Sequence, residues 1–298
     1  MTGKEENRKD NTQENQQLIQ QDNTQKNQQL IQQENQQKTQ QEKSKKSKNA
    51  NRLRLLDAFR GLTILSMIAF HTCWDLYSFG LGISYQMLYS NAGYWWQQSI
   101  CWSFILLSGF CFSLGRRHLR QGLMVFGAGI LVSVVTILAT YDSRVIFGVL
   151  TLLGSCSLLM CLLDRIMPQN KTGAAFALAI CLTAFIVTKS VSAGYLGFEG
   201  FRIMELPSFL YQGYGMAFLG FPFPGFFSTD YFGLIPWLFL YMSGYFIEKL
   251  VRGSGFFSFC KRYGCRPLEF LGRHSLVIYL AHQVVVYAVV YLISLMVH

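Results

Sequence analysis

Past Arg54, which opens it, the apolar stretch RLLDAFRGLTILSMIAFHTCWDL at 54–76 carries four acidic, basic or imidazole side chains: Asp57, Arg60, His71 and Asp75. A charge in a bilayer costs at least ~2.5–3.5 kcal/mol, so such groups raise a functional hypothesis. At about 100° per residue, the 11 positions from Arg60 to His71 fall only about 20° past three whole turns. Arg60 and His71 therefore share a helix face, with Asp57 and Asp75 both about 60° from Arg60 on one side and Met67 about 20° from it on the other. The same 11 positions span roughly 16 Å along the axis, which puts Arg60 and His71 at opposite ends of one polar stripe. A guanidinium suits an anionic group such as a phosphate. Imidazole suits proton transfer or transient acyl attachment near neutral pH, and Asp75 at i+4 is expected to orient the His71 ring and stabilise its imidazolium. The plainer reading is an Asp57–Arg60 ion pair with an interfacial histidine.

The C-terminal stretch GRHSLVIYLAHQVVVY at 272–287 repeats the theme. Arg273 and His274 stand at its start, whereas His282 and Gln283 fall near mid-depth, where a polar pair must find partners inside a bundle. His282 is either a second catalytic group or a hydrogen-bonding clamp between helices. No metal-ligand cluster, phosphate-cradling glycine loop or nucleophile elbow occurs, so no metal is expected.

The elements that would carry these residues follow from the distribution of apolar residues. About half of the 298 residues are hydrophobic, yet residues 1–50 contain only six of them, so the remainder is too apolar for a simple soluble domain. Seven stretches are long and apolar enough to be read as membrane spans: 55–75, 95–115, 119–140, 144–163, 172–189, 231–249 and 275–297. With the N-terminus inside, 13 Lys and Arg flank the spans on the inner side and only Arg144, Lys189 and Arg202 on the outer side. The expectation is an all-α, polytopic transmembrane helix bundle of seven spans in the cell membrane. The net charge of +10 belongs mostly to its inner loops, so lipids and not nucleic acid are the expected partners of that charge. Residues 190–230 are placed outside, in part as a re-entrant segment. From Tyr195 to Trp237 they contribute to 14 aromatics in 43 residues, suited to an interfacial belt or to stacking on sugars.

Residues 1–50 form a second region. NTQENQQLIQQD at 11–22 and NTQKNQQLIQQE at 23–34 repeat with a period of 12, which is neither a heptad nor an 11-residue pattern, and too few apolar residues are present to offset ordering. A disordered cytoplasmic tail is expected, joined to the membrane domain at 51–298 by a lysine-rich anchor. The eight cysteines show no CxxC pair, and one outer disulfide between Cys73 and Cys101 is left open.

LDAFRGLTILSMIAFHTCWDL resembles the first span of the heparan-alpha-glucosaminide N-acetyltransferase catalytic-domain family, and an Arg and a His with ten residues between them also mark the wider acyltransferase-3 group. FILLSGFCFSLGRR at 104–117, RVIFGVLTLLGSCSLL at 144–159, FFSTDYFGLIPWLFLYMSGYFIEK at 226–249 and PLEFLGRHSLVIYLAHQ at 267–283 are similar to further stretches of that family. The resemblance implies a multi-pass enzyme that takes an acyl group, typically acetyl, from cytosolic acyl-CoA to a sugar on the far side. It assigns Arg60 and His71 to the motif pair, Asp57 to its preceding acid, and Arg273, His274, His282 and Gln283 to the last-span motif. Thr151 stands where such proteins commonly carry a His, and Gly233 where a Pro is usual.

These readings converge on a membrane acyltransferase with His71, Asp75 and His282 as catalytic groups. Arg60, Asp57, Arg273 and His274 would hold acetyl-CoA or another acyl-CoA, and a hydroxyl or amine of an envelope glycan would be the acceptor. Oligomerisation is left open. The rival is a transporter or flippase that uses the polar stripe as a path for a lipid-linked sugar.

Overall fold

The computed structural model describes residue 40 and residues 52–115, 117–139 and 141–297. The repeat-bearing tail and most of the lysine-rich anchor lie outside the described residues. Leu53–His298 forms one contact-dense unit of helices with a single two-stranded sheet.

In chain order the helices are α1 (Arg54–Ser78), α2 (Tyr85–Tyr89), α3 (Asn91–Phe112), α4 (His118–Ala139), α5 (Val149–Leu163), α6 (Lys171–Thr188), α7 (Gly213–Leu219), α8 (Leu234–Val251), α9 (Phe256–Arg262), α10 (Arg266–Arg273) and α11 (Ser275–Val297). Each of the seven expected spans contains one helix. Among the described residues, four helices are long and apolar enough to cross a membrane: His118–Ala139, Lys171–Ala193, Leu234–Val251 and Ser275–Val297. Val149–Leu163 is apolar but has only 15 residues, about 22 Å of helix. The helices over 54–78 and 91–112 are long enough but carry more polar residues. Residues 190–230 hold short 3-10 turns, the hairpin and α7.

Without water on the lipid side, burial reports only helix-to-helix contact. α4 buries only Gly122 and Gly129, and its Leu119, Leu123, Leu131 and Leu138 are exposed. α11 buries only His282, Val290 and Ser294. Apolar surface on this scale matches helices whose outer faces meet lipid.

The bundle is assembled by close backbone approach at small residues. A Cβ on Gly61 would lie 2.0 Å from the Leu268 carbonyl oxygen, and one on Gly272 would lie 1.9 Å from that of Asp57. Thus α1 and α10 pack with no side chain between them at this point, which small residues alone allow. α3 and α8 meet in the same way at Gly109 and Gly244. α1 also packs against α11, and α8 against α6.

Local chemistry sets several boundaries. Ser90 caps α3 by accepting the Gly93 N–H at 3.1 Å. Pro267 opens α10, where its missing N–H leaves no bond unmade. β1 (Tyr195–Phe198) and β2 (Phe201–Glu205) pair antiparallel around Glu199 and Gly200, both with positive φ, as a two-residue hairpin turn requires. Glu199 then accepts from the Tyr94 hydroxyl and pairs with Lys189 at 3.3 Å, fixing the hairpin over the start of α3.

Candidate active site

The stripe on α1 is met at one end by α10 and higher up by α11. At the α10 end Glu269, only 3% exposed, accepts from Arg54 Nε at 3.0 Å and Arg273 at 2.9 Å, while Arg273 Nε lies 3.7 Å from Asp57. The plainer alternative drawn from the sequence paired Asp57 with Arg60; the structure gives Asp57 an ion pair with Arg273. Close approach at Gly272 brings the next residue of α10 alongside Asp57, while Arg60, half-buried, lies beside the Cys111 thiol on α3. Glu248, fully buried on α8, is held by both donor nitrogens of Arg252 at 2.9 Å. His274 stands apart from this network: it is exposed, its Nδ1 lies 2.9 Å from the Phe270 carbonyl, and its ring rests on Phe270.

At the other end His71 faces His282 on α11, with 5.0 Å between ring centroids and 58° between planes. His282 Nδ1 lies 2.6 Å from the Tyr279 carbonyl oxygen of its own helix. A carbonyl only accepts, so that nitrogen carries the proton and Nε2 is left as a bare acceptor. Nε2 is buried and has no hydrogen-bond partner among the described residues, so among them it does not clamp α11 to a neighbour.

Asp75 does not make the expected bond to His71. Its Oδ1 accepts from Gln283 Nε2 at 3.4 Å, and its buried Oδ2 has no partner among the described residues. An aspartate side chain is short, and here α11 offers it an amide donor while His71 turns to the imidazole on that helix.

One support of this end escaped the sequence reading. The loop before α8 lies along residues 144–149: Phe232 N–H donates to the Phe147 carbonyl at 2.9 Å, and Ile146 N–H to Ser228 Oγ at 2.9 Å. Asp230 accepts the Val149 N–H at 3.3 Å, at the start of α5, and the Tyr279 hydroxyl at 3.5 Å. It thereby ties the loop and α5 to the helix turn that holds His282. Burial pushes the Asp230 carboxyl above the usual carboxylate range, against the opposing pull of Val149 N–H and Tyr279 O–H. The signal that could have found it was the TDYFG run, where one acid lies among aromatics.

Other expectations divide. Cys73 and Cys101 are both free thiols, so the outer disulfide is absent. Thr151, at the position where a second histidine was looked for, is buried inside α5. The second imidazole comes instead from α11. Among the described residues no group of three His, Cys, Asp or Glu is placed to hold a metal ion.

Two imidazoles, one with a bare nitrogen, next to a carboxylate and an amide can take and pass protons and hold a polar acceptor. Arg60, about 16 Å away along α1, together with Arg54, Arg252 and Arg273 paired to carboxylates toward that end, can meet an anionic group. Against known proteins, residues 52–284 match the model of the family described as heparan-alpha-glucosaminide N-acetyltransferase, catalytic. No curated protein and no solved structure matches.

Proposed function

The chain belongs to the heparan-alpha-glucosaminide N-acetyltransferase catalytic family, an acetyltransferase-type membrane enzyme, and we propose that it moves an acetyl group from cytosolic acetyl-CoA to a glycan hydroxyl or amine on the outer side of the cell membrane. The observation that carries this reading is the apposition of His71 and His282 at one end of a stripe whose other end is rich in arginine.

The topology proposed with it has seven spans, with α1, α3, α4, α5, α6, α8 and α11 crossing and the N-terminus inside. The inner loops then hold most of the positive charge, and residues 190–230 lie outside. The two domains are the tail at 1–50 and the membrane domain at 51–298, the tail serving as a cytoplasmic anchor to anionic lipid.

In this mechanism Arg60, steadied by Asp57, Arg273 and their carboxylate neighbours, receives the anionic part of acetyl-CoA. The thioester lies toward His71, along the stripe. His71 acts as general base on the acceptor or as transient acyl carrier, and His282, with Nε2 free, takes or returns a proton beside it. The new bond forms between the acceptor heteroatom and the acetyl carbonyl carbon, the C–S bond breaks, and the thiolate takes the proton the acceptor lost. His274, exposed near the inner mouth, supplements the phosphate contacts when protonated.

Arg60→Ala tests the donor end. The expected result is a higher KM for acetyl-CoA with residual turnover at saturation; an unchanged KM contradicts the assignment of Arg60. Movement of a sugar across the membrane with no thiol released would favour the carrier reading instead.

A further inference from the structure

The carboxylates of the two ends are partnered differently. Near the inner end Asp57, Glu248 and Glu269 each have an arginine partner. Asp75, only 4% exposed, is in no ion pair with a Lys, Arg or His among the described residues, and Gln283 Nε2 is its hydrogen-bond donor. Among the described residues its Oδ2 is buried without a hydrogen-bond partner, and so is Nε2 of His282, a residue 8% exposed. Both unmatched atoms are acceptors, on facing helices, beside His71. A buried carboxylate without a cation is unfavourable unless something supplies donors and positive charge.

Resting on the transferase reading above, we infer that Asp75 is the acceptor-binding carboxylate of this site: it takes the donor group of the incoming acceptor, an ammonium in preference to a hydroxyl, and it does not orient His71. Gln283 fixes one oxygen and leaves the other for the ligand. The neighbouring imidazoles match the chemistry. An ammonium must lose two protons to become an amide, one before its nitrogen attacks the acetyl carbonyl and one after. The C–N bond forms, the C–S bond breaks, the departing thiolate takes one proton, and the other leaves to solvent. A hydroxyl acceptor loses only one.

The test uses the full-length protein in detergent, with methyl glucosaminide and methyl glucoside as probes. Asp75→Asn keeps the shape and the bond from Gln283 but removes the charge, and Asp75→Glu restores it. By calorimetry, wild type is expected to bind the glucosaminide more tightly than the glucoside. Asp75→Asn should weaken the glucosaminide by roughly ten- to a hundredfold with little change for the glucoside, and Asp75→Glu should recover part of the loss. In turnover the Asn variant should raise KM for the glucosaminide more than it lowers kcat, with KM for acetyl-CoA unchanged. Equal affinity of wild type for both probes overturns the inference, as does an Asn variant that binds the glucosaminide like wild type. A fall in kcat with KM unchanged also overturns it, since that is the behaviour of a group orienting His71. If wild type discriminates in binding but transfers no acetyl group, the transferase reading fails and the assignment of Asp75 stands.

Discussion

His71 on the first helix and His282 on the last lie with ring centroids 5.0 Å apart, although 211 positions separate them in the chain. Tyr279, one turn before His282, takes the Nδ1 proton through its carbonyl and gives its own hydroxyl to Asp230. His282 is thus held in one tautomer by its own helix while its free nitrogen stays on the side of the unmatched acceptors. His282→Ala should lower kcat by roughly 10²–10⁴, the usual contribution of a general acid or base, with KM for acetyl-CoA little changed. Steady-state thiol release measures it, and wild-type kcat in the variant would remove His282 from the chemistry.

The approach of α1 to α10 should be intolerant of any side chain. Gly272→Ala would put a methyl group 1.9 Å from the Asp57 carbonyl oxygen, and backbone cannot yield there as a flexible side chain would. We expect a loss of at least about 1–3 kcal/mol, typical of overpacking, and a weakened Asp57–Arg273 contact. Thermal unfolding in detergent provides the measurement. Gly255→Ala, with open space around the added atom, is the comparison and should leave the midpoint unchanged.

Asp230 gives a pH dependence with a definite sign. Its folded carboxyl is raised above the unfolded value of about 3.9, so the folded state favours the protonated form. That contribution is fully present below the unfolded value and is lost as pH rises through the folded one. Asp230→Asn keeps an acceptor for Val149 and Tyr279 without the charge, so it should raise the unfolding temperature near neutral pH, with the gain shrinking toward acid pH. Unfolding curves across that range test this, and destabilisation at neutral pH would show that the ionised carboxylate is favourable in the fold.

Cys265 is exposed between α9 and α10, on the side the proposed topology makes cytoplasmic. A membrane-impermeant maleimide should label it in inverted vesicles and not in right-side-out ones. Labelling only in right-side-out vesicles would reverse the proposed orientation.

Much of this arrangement was legible in the sequence because helical periodicity is local. The stripe from Asp57 to Asp75 follows from about 100° per residue, and the apolar runs mark each of the seven helices. Partners chosen across helices were not legible. Asp57 meets Arg273 because Gly61 and Gly272 let α10 come close, and Asp75 meets Gln283 because α11 packs on that face. Glu269 was overlooked although it precedes Arg273 by one helical turn, a spacing at which opposite charges regularly pair. The sequence offered His282 as a second catalytic group or a clamp, and only the packing of α11 on α1 shows its ring facing His71.

The central claim is acetyl transfer centred on His71. The most direct measurement follows thiol release from acetyl-CoA together with labelled acetyl transfer to methyl glucosaminide, in inverted vesicles containing wild type or His71→Ala at equal levels of folded, inserted protein. The account predicts transfer coupled to thiol release in wild type and neither above background in the variant. Equal transfer by His71→Ala would contradict it.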